Sequence, residues 1–484
     1  MLSLITFIPL LGALAVVFGS RASARWTALV TSLLSFVVSL IALFRFDPAQ
    51  GGYQFVESVP WIPQYGISYK MGMDGISLWL VLLTTFIFPI ALWFSGESIH
   101  HREKEYYALM LLMETATLGV FLALDMFLFY VFWEFALVPM YFIIGVWGGE
   151  RRIYASVKFF IYTMAGSVLM LIAILVLGIT NSTFDLEAIA AQNAAFKGNV
   201  LLFLAFAAAF AIKVPMFPFH TWLPDAHVEA PTPGSVILAS VLLKMGSYGL
   251  IRYNLGLFPE ASAALAPVMI GLAIVGIVYG AAVAFAQTDA KKLVAYSSVS
   301  HMGFVVLGTF ALNAIGVQGA LLQMVNHGLS TGGLFLIIGF IYERLHTRDM
   351  KAMGGLWARM PLYGSLALML VLSSVGLPAL NGFVGEFTIL QGAFLYSPLA
   401  AGFAALGMVL SAAYLLTMFQ KVFLGESRNP ATEKLSDLNW REVLSVAPLI
   451  VLCFVIGLYA APFFGAMNAS VSTLLTNAGL AMGR

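Results

Sequence analysis

The sequence contains a single cysteine, Cys453. One thiolate cannot hold an iron–sulfur cluster or a structural zinc, and it cannot close an internal disulfide, so no redox centre or cysteine-bound metal is expected in this chain. Charge is nearly as scarce: only 10% of the 484 residues are Asp, Glu, Lys or Arg, and the formal net charge is +1. Nucleic-acid binding needs a concentrated basic face, which scattered single charges do not supply, so no nucleic-acid partner is expected. Nucleotide cradles are missing as well, since no Gly-x-Gly-x-x-Gly follows a strand and no Walker loop occurs. What remains is apolar. Hydrophobic residues make up 61% of the chain, which no water-facing surface accommodates, and the sequence reads as an all-α integral membrane protein in a lipid bilayer.

Apolar windows long enough to cross a hydrocarbon core of about 30 Å recur from end to end. About fourteen spans are expected, near 2–19, 26–45, 72–95, 106–123, 126–147, 157–180, 200–220, 234–253, 265–285, 293–311, 318–342, 364–396, 400–422 and 442–465. The first, in "MLSLITFIPLLGALAVVFGSRASAR", imitates a signal peptide. No positive charge precedes its apolar run, however, and Arg21 and Arg25 follow it, so it reads as a retained spanning helix. Placing the cations tests the count. Arg21, Arg25, Arg102, Lys104, Arg151, Arg152, Lys158, Lys291, Lys292, Arg344, Arg348, Lys351, Arg359, Lys421, Arg428, Lys434 and Arg441 fall on one side, against Arg45, Lys70, Lys197, Arg252 and Arg484 on the other. That imbalance predicts an even number of spans with both termini outside. The two remaining cations, Lys213 and Lys244, lie inside predicted helices.

The stretch "AFAIKVPMFPFHTWLPDAH" puts Lys213 in an apolar run and then breaks the helix at Pro215 and Pro218. Five spans later "SSVGLPALNGFVGEF" is broken in the same way by Pro378 and Asn381-Gly382. An odd offset predicts two inverted five-helix repeats, spans 4 to 8 and 9 to 13, with broken helices 7 and 12 at a transport site. The expected divisions are three N-terminal helices in 1–105, a first repeat in 106–255, an inverted second repeat in 256–425, and a loop with the last helix in 426–484.

Four ionisable residues lie deep in predicted spans: Glu134, Lys213, Lys244 and Glu386. Each costs at least about 2.5 kcal/mol at the bilayer centre. Snorkelling is the plain alternative, and a purely structural Glu134–Lys213 pair is another. Burial disfavours charge and pairing favours it, so making or breaking that pair would change how readily Lys213, and then Lys244, holds a proton. Histidines can relay protons between such stations. His301 and His327, deep in spans 10 and 11, are the favoured candidates, with His220, His227 and the buried carboxylate Glu114 as further ones; His100, His101 and His346 fall in charged loops. Asp125 sits at a span boundary, where capping is the simpler reading. "GLSTG" at 328–332 fits a nucleophile elbow but lies in an apolar helix, where close helix packing explains it better.

The segments "FWEFALVPMYFIIGVWGG", "KVPMFPFHTWLPDAHVEAPTPGS", "LLKMGSYGL" and "DAKKLVAYSSVSHMG" resemble the antiporter-like subunits of respiratory complex I, the bacterial-type NADH:quinone oxidoreductase. Those subunits are related to Mrp-type cation/proton antiporters, and the likeness runs over nearly the whole chain. Glu386, where the L and N branches typically carry Lys, makes the sequence similar to the M branch. The resemblance implies a subunit of an H⁺-translocating enzyme, with Glu134 and Lys213 as a modulating pair, Lys244 as central carrier and Glu386 leading to the outer exit. His301 and His327 would lie on the polar axis between them. It also implies neighbouring L and N subunits, the lateral helix of L, and a bacterial inner membrane. NADH, FMN, iron–sulfur clusters and quinone would reside in partner subunits, with no cofactor or metal site in this chain. An Mrp-type Na⁺/H⁺ antiporter subunit without redox partners, or a structural spacer, are the competing expectations.

Overall fold

The computed structural model describes residues 1–192, 195–427 and 429–480; Arg428 and Arg484, counted above as loop cations, lie outside the described residues. Among the described residues, 11 helices are long and apolar enough to cross a membrane, from Arg21–Arg45 to Trp440–Leu458, and Leu2–Phe18, Val200–Lys213 and Pro361–Val375 are shorter apolar helices. Helix is the natural outcome, because hydrocarbon offers no partner for an unpaired backbone amide. Helix starts are fixed by polar side chains. Asp74, Asp125, Asn199, Asp289, Asn313 and Asn439 each accept from first-turn amides. The Asp125 cap agrees with its reading from the sequence.

Burial sorts the helices into layers. Thr232–Leu255 and Ala314–Leu345 are enclosed over their whole apolar windows, whereas Arg21–Arg45 and Pro398–Phe423 leave most of theirs facing outward. The enclosed pair forms the centre of the bundle. "GLSTG" lies within Ala314–Leu345, and its glycines admit the neighbouring helix: Ser240 Oγ donates to Gly328 O at 2.7 Å, and a Cβ on Gly332 would sit 2.3 Å from Ser240 Oγ.

Two segments are interrupted as their prolines require. One helix stops at Lys213 and resumes as Trp222–Glu229; the other stops at Val375 and resumes as Asn381–Tyr396. The breaks expected within 200–220 and 364–396 are therefore present, and the first segment resumes only at Trp222, beyond its expected end at 220. Freed backbone groups find side chains: Trp222 Nε1 donates to Ile212 O at 2.8 Å, and Asn326 Nδ2 donates to Asn381 O at 2.7 Å.

Two corners of the chain have the same construction. After the helix Arg152–Asn181, Ser182 turns left-handed at φ 54°, Thr183 Oγ1 accepts from Asp185 N, and Phe184 O accepts from Met126 N at 2.8 Å beside the Asp125 cap. After Ala314–Leu345, His346 turns at φ 51°, Thr347 Oγ1 accepts from Asp349 N, and Arg348 O accepts from Ala290 N at 2.9 Å beside the Asp289 cap.

Several expectations need correcting. The third helix begins at Gly75 rather than 72, because residues 54–73 form an antiparallel hairpin, Gln54–Ile62 with Ile67–Met73. Lys70 of that hairpin bonds Asp185 at 2.5 Å and Glu187 at 2.7 Å. Burial works against its charge, but the two carboxylates prevail and hold the ammonium above its ordinary pKa. The last span ends at Leu458 rather than 465, and a further helix, Ala461–Asn477, follows. Two cations assigned to loops are buried. Arg252 lies inside the enclosed helix, bonded to Asp74 at 2.6 Å with both side chains 4% exposed, and Lys291 Nζ donates to Ala230 O at 2.6 Å. An apolar-window reading sees only that a cation ends a run; it does not see the carboxylate or carbonyl that lets the run continue.

Candidate functional site

The enclosed helices bring four of the singled-out residues into one row. Lys244 Nζ lies 2.7 Å from His327 Nδ1, the His327 and His301 rings are 5.9 Å apart between centroids, and His301 Nδ1 lies 2.7 Å from Glu386 Oε1. Lys244, His301, His327 and Glu386 are all buried. The row therefore crosses from the helix Thr232–Leu255, over Ala314–Leu345 and Ala290–Phe310, to the second half of the broken segment. Two of its three links are close enough for direct proton transfer, which needs heavy atoms about 2.6–3.2 Å apart.

Local backbone makes the row possible. Lys244 sits between two π-helical stretches, Leu238–Leu242 and Leu250–Leu255, and its ammonium folds back onto the Ala239 carbonyl. Such wide turns release carbonyls from the regular ladder and recur at functional positions. Near the other end, Gly385 is required for close approach, because a Cβ there would stand 2.2 Å from Gln323 Oε1. Glu386 thereby reaches the Ala314–Leu345 helix, and Gln323 Nε2 donates to Glu386 Oε1 at 3.1 Å.

Glu134 and Lys213 are not in contact. They lie within electrostatic range of each other, but no ion pair joins them within 4 Å among the described residues; Glu134 Oε1 is buried without a partner. Lys213 is 1% exposed, so it does not snorkel, and its Nζ lies 5.6 Å from the Trp133 ring centre and 5.4 Å from that of Phe159. It ends its helix, where the free carbonyls favour a cation.

The remaining candidates lie outside the row. His227 is fully buried, stacked on Phe335 at 4.5 Å with both ring nitrogens unpartnered. His220 packs edge-on to Tyr279 at 5.2 Å. Glu114 has one bonded oxygen, accepting from Ser32 Oγ at 3.0 Å, and one without a partner.

Sequence reasoning passed over Gln323, Asn326 and Tyr414, whose hydroxyl lies 3.4 Å from His301 Nε2. A signal for the first two was present. Gln323, Asn326 and His327 occupy positions i, i+3 and i+4 of "LLQMVNHGLST", which puts three polar side chains on one helical face.

Comparison with known proteins gives consistent matches. Residues 123–412 match the family described as NADH:quinone oxidoreductase/Mrp antiporter, transmembrane. The chain is 46% identical over 497 aligned residues to NADH-quinone oxidoreductase subunit M of Rhodobacter capsulatus, covering 99% of this chain and 96% of that one. A chain of respiratory complex I from Thermus thermophilus with bound NADH superposes with a TM-score of 0.90 at 34% identity, with 99% of both chains covered. A chain of the Mrp complex from Dietzia sp. DQ12-45-1b superposes at 0.83 with 24% identity, covering 99% of this chain and 55% of that one; this likeness concerns the fold alone.

Proposed function

Because the chain belongs to the NADH:quinone oxidoreductase/Mrp antiporter family of transmembrane proteins, we propose that it moves protons across the membrane as a membrane-arm subunit of NADH:quinone oxidoreductase. The observation that carries this reading is the buried row Lys244, His327, His301, Glu386, with its end links at 2.7 Å. A proton taken up from the cation-rich side resides on Lys244, passes to His327 Nδ1, crosses to His301 and leaves through Glu386. Glu134 and Lys213 act as the modulating pair. Closing their gap favours charge on both and opening it disfavours charge, so their separation sets how readily Lys213, and through it Lys244, holds a proton. His220, His227 and Glu114 are secondary relay candidates. NADH, FMN, iron–sulfur clusters and quinone belong to partner subunits on this reading.

The finer architecture follows the same reading. With each interrupted segment counted as one crossing, the 11 long helices and the three shorter apolar ones support fourteen spans. The matched corners at Asp125 and Asp289 stand five spans apart, which supports inverted repeats in 106–255 and 256–425, flanked by 1–105 and 426–484. The cation imbalance supports both termini on the outer side of a bacterial inner membrane. The neighbours would be the L and N subunits, with the lateral helix of L alongside.

The test replaces Lys244 or Glu134 by Ala in the assembled complex and measures protons pumped per NADH oxidised. Loss of pumping with normal assembly is expected; full pumping by both variants refutes the assignment. Mass spectrometry of copurified subunits, with flavin and iron analysis, separates this reading from a redox-free Na⁺/H⁺ antiporter.

A further inference from the structure

An elongated apolar cavity of about 650 Å³ opens between the helices Arg21–Arg45, Gly75–Ser98 and Trp440–Leu458, lined by Leu40, Phe86, Val325, Leu329, Pro448 and Val451 among others. That volume lies within the roughly 300–1,000 Å³ of ligand pockets. Its floor is the central helix Ala314–Leu345: Val325 and Leu329 stand two residues either side of His327. One end adjoins a polar recess lined by Arg25, Trp93, Glu97, Arg441, Glu442 and Ser445, the Trp440–Leu458 helix running from one to the other.

The charges in and around that recess are unequal: its two carboxylates, Glu97 and Glu442, are each held by an arginine other than Arg25. Arg441 is bonded to Glu97 at 2.8 Å, Arg344 to Glu442 at 2.6 Å and Arg21 to Glu103 at 2.7 Å. Arg25 has no carboxylate within 4 Å among the described residues. Its guanidinium lies on bare backbone, where a Cβ at Gly96 would stand 1.9 Å from its Cζ, and its one hydrogen bond goes to Trp93 O at 3.3 Å. Trp26 and Trp93 flank it, their ring centres 5.4 and 5.5 Å from Cζ, and Trp440 is 64% exposed nearby. Tryptophans beside a cation mark the headgroup level of a bilayer.

We infer that this groove binds an anionic glycerophospholipid from the leaflet on the cation-rich side, with its phosphate on Arg25 and an acyl chain lying along Pro448 and Val451 against Val325 and Leu329. A charged head above a long dry slot matches that amphiphile. A neighbouring apolar helix would leave Arg25 without an anion, and a quinone brings no charge. The chain would pack on the back of the helix that carries His327, closing that side of the proton row against water.

The test uses the whole complex in phosphatidylcholine vesicles doped with photoreactive phosphatidylglycerol or, separately, photoreactive phosphatidylcholine, each with its reactive group in the acyl chain. After illumination, peptides spanning Leu444–Leu452 should be labelled about fivefold more by the anionic lipid, the selectivity one arginine supplies. Arg25→Gln should remove that preference, and Ala447→Trp, which fills the slot, should abolish labelling there even if the arginine variant fails to assemble. Equal labelling by both lipids, labelling unchanged by Ala447→Trp, or a slot crosslinked to a partner subunit or a quinone analogue in place of lipid would each overturn the inference.

Discussion

His327 gives the sharpest test of the proton row, because it alone touches Lys244 and faces His301. In His327→Ala the 2.7 Å bond to Lys244 Nζ disappears, leaving the Ala239 carbonyl as the ammonium's remaining hydrogen-bond partner. A buried polar group that loses its partner costs about 1–3 kcal/mol. If that cost falls on the transfer barrier, the step slows by about 5- to 150-fold, at 1.36 kcal/mol per decade. His327→Gln is the control for packing, since an amide fills similar space and still accepts from Lys244 but cannot exchange protons between two ring nitrogens. The assay is proton uptake into proteoliposomes containing the assembled complex, alongside NADH oxidation with and without an uncoupler and a native gel for assembly. Both variants should assemble; His327→Ala should lose pumping rate by a factor in that range, and His327→Gln, which keeps the Lys244 bond, should lose pumping as well because it cannot pass the proton on. A normal proton-to-electron ratio at normal turnover in His327→Gln would refute a route through this ring.

Other expectations concern stability and the outlying carboxylate. Asp74→Ala strands the Arg252 charge, whose partner stood at 2.6 Å, and should cost about 3–5 kcal/mol, read as a lower unfolding temperature of the purified complex; the double variant Asp74→Ala with Arg252→Met should recover most of it. Gly392→Val would place a Cβ 2.4 Å from Gly316 and should destabilise by about 1–3 kcal/mol, visible as reduced assembled complex on native gels. Glu114→Gln keeps the Ser32 bond, because a neutral amide satisfies that hydroxyl equally well, and removes proton exchange alone; a loss of pumping of about tenfold or more supports the secondary relay role, and pumping within about twofold of normal takes Glu114 off the proton route.

The helical membrane class and the helix breaks were legible because both follow from short-range rules. Prolines at 215, 218 and 378, two of them close together and one beside Asn381-Gly382, weaken the ladder locally, and the interruptions fall beside them. Lys244 and Glu386 were legible for a related reason, since charge inside a long apolar run has few explanations. Their meeting through His327 and His301 was expected from the family resemblance alone and not from the residues, because it depends on how four separate helices are turned about their axes. No strands were expected in residues 54–73, for want of a strong pattern. Their strand alternation is interrupted by register shifts at Gln54/Glu57 and Pro60/Ile62. Arg252 and Lys291 were misplaced because cation counting assumes that every basic side chain outside a deep run reaches water.

One helix of the bundle, Thr232–Leu255, carries two cations eight residues apart, and they are held in opposite ways. Arg252 faces a fixed carboxylate, which anchors a permanent charge and offers its guanidinium nowhere to discharge. Lys244 faces a carbonyl and an imidazole, two hosts without a fixed negative charge. Such hosts tolerate the ammonium without trapping it, and they still receive a hydrogen bond from the neutral amine. A strong counter-ion at that spot would have made the lysine a rivet; its absence leaves a tenant that can be evicted and readmitted each cycle.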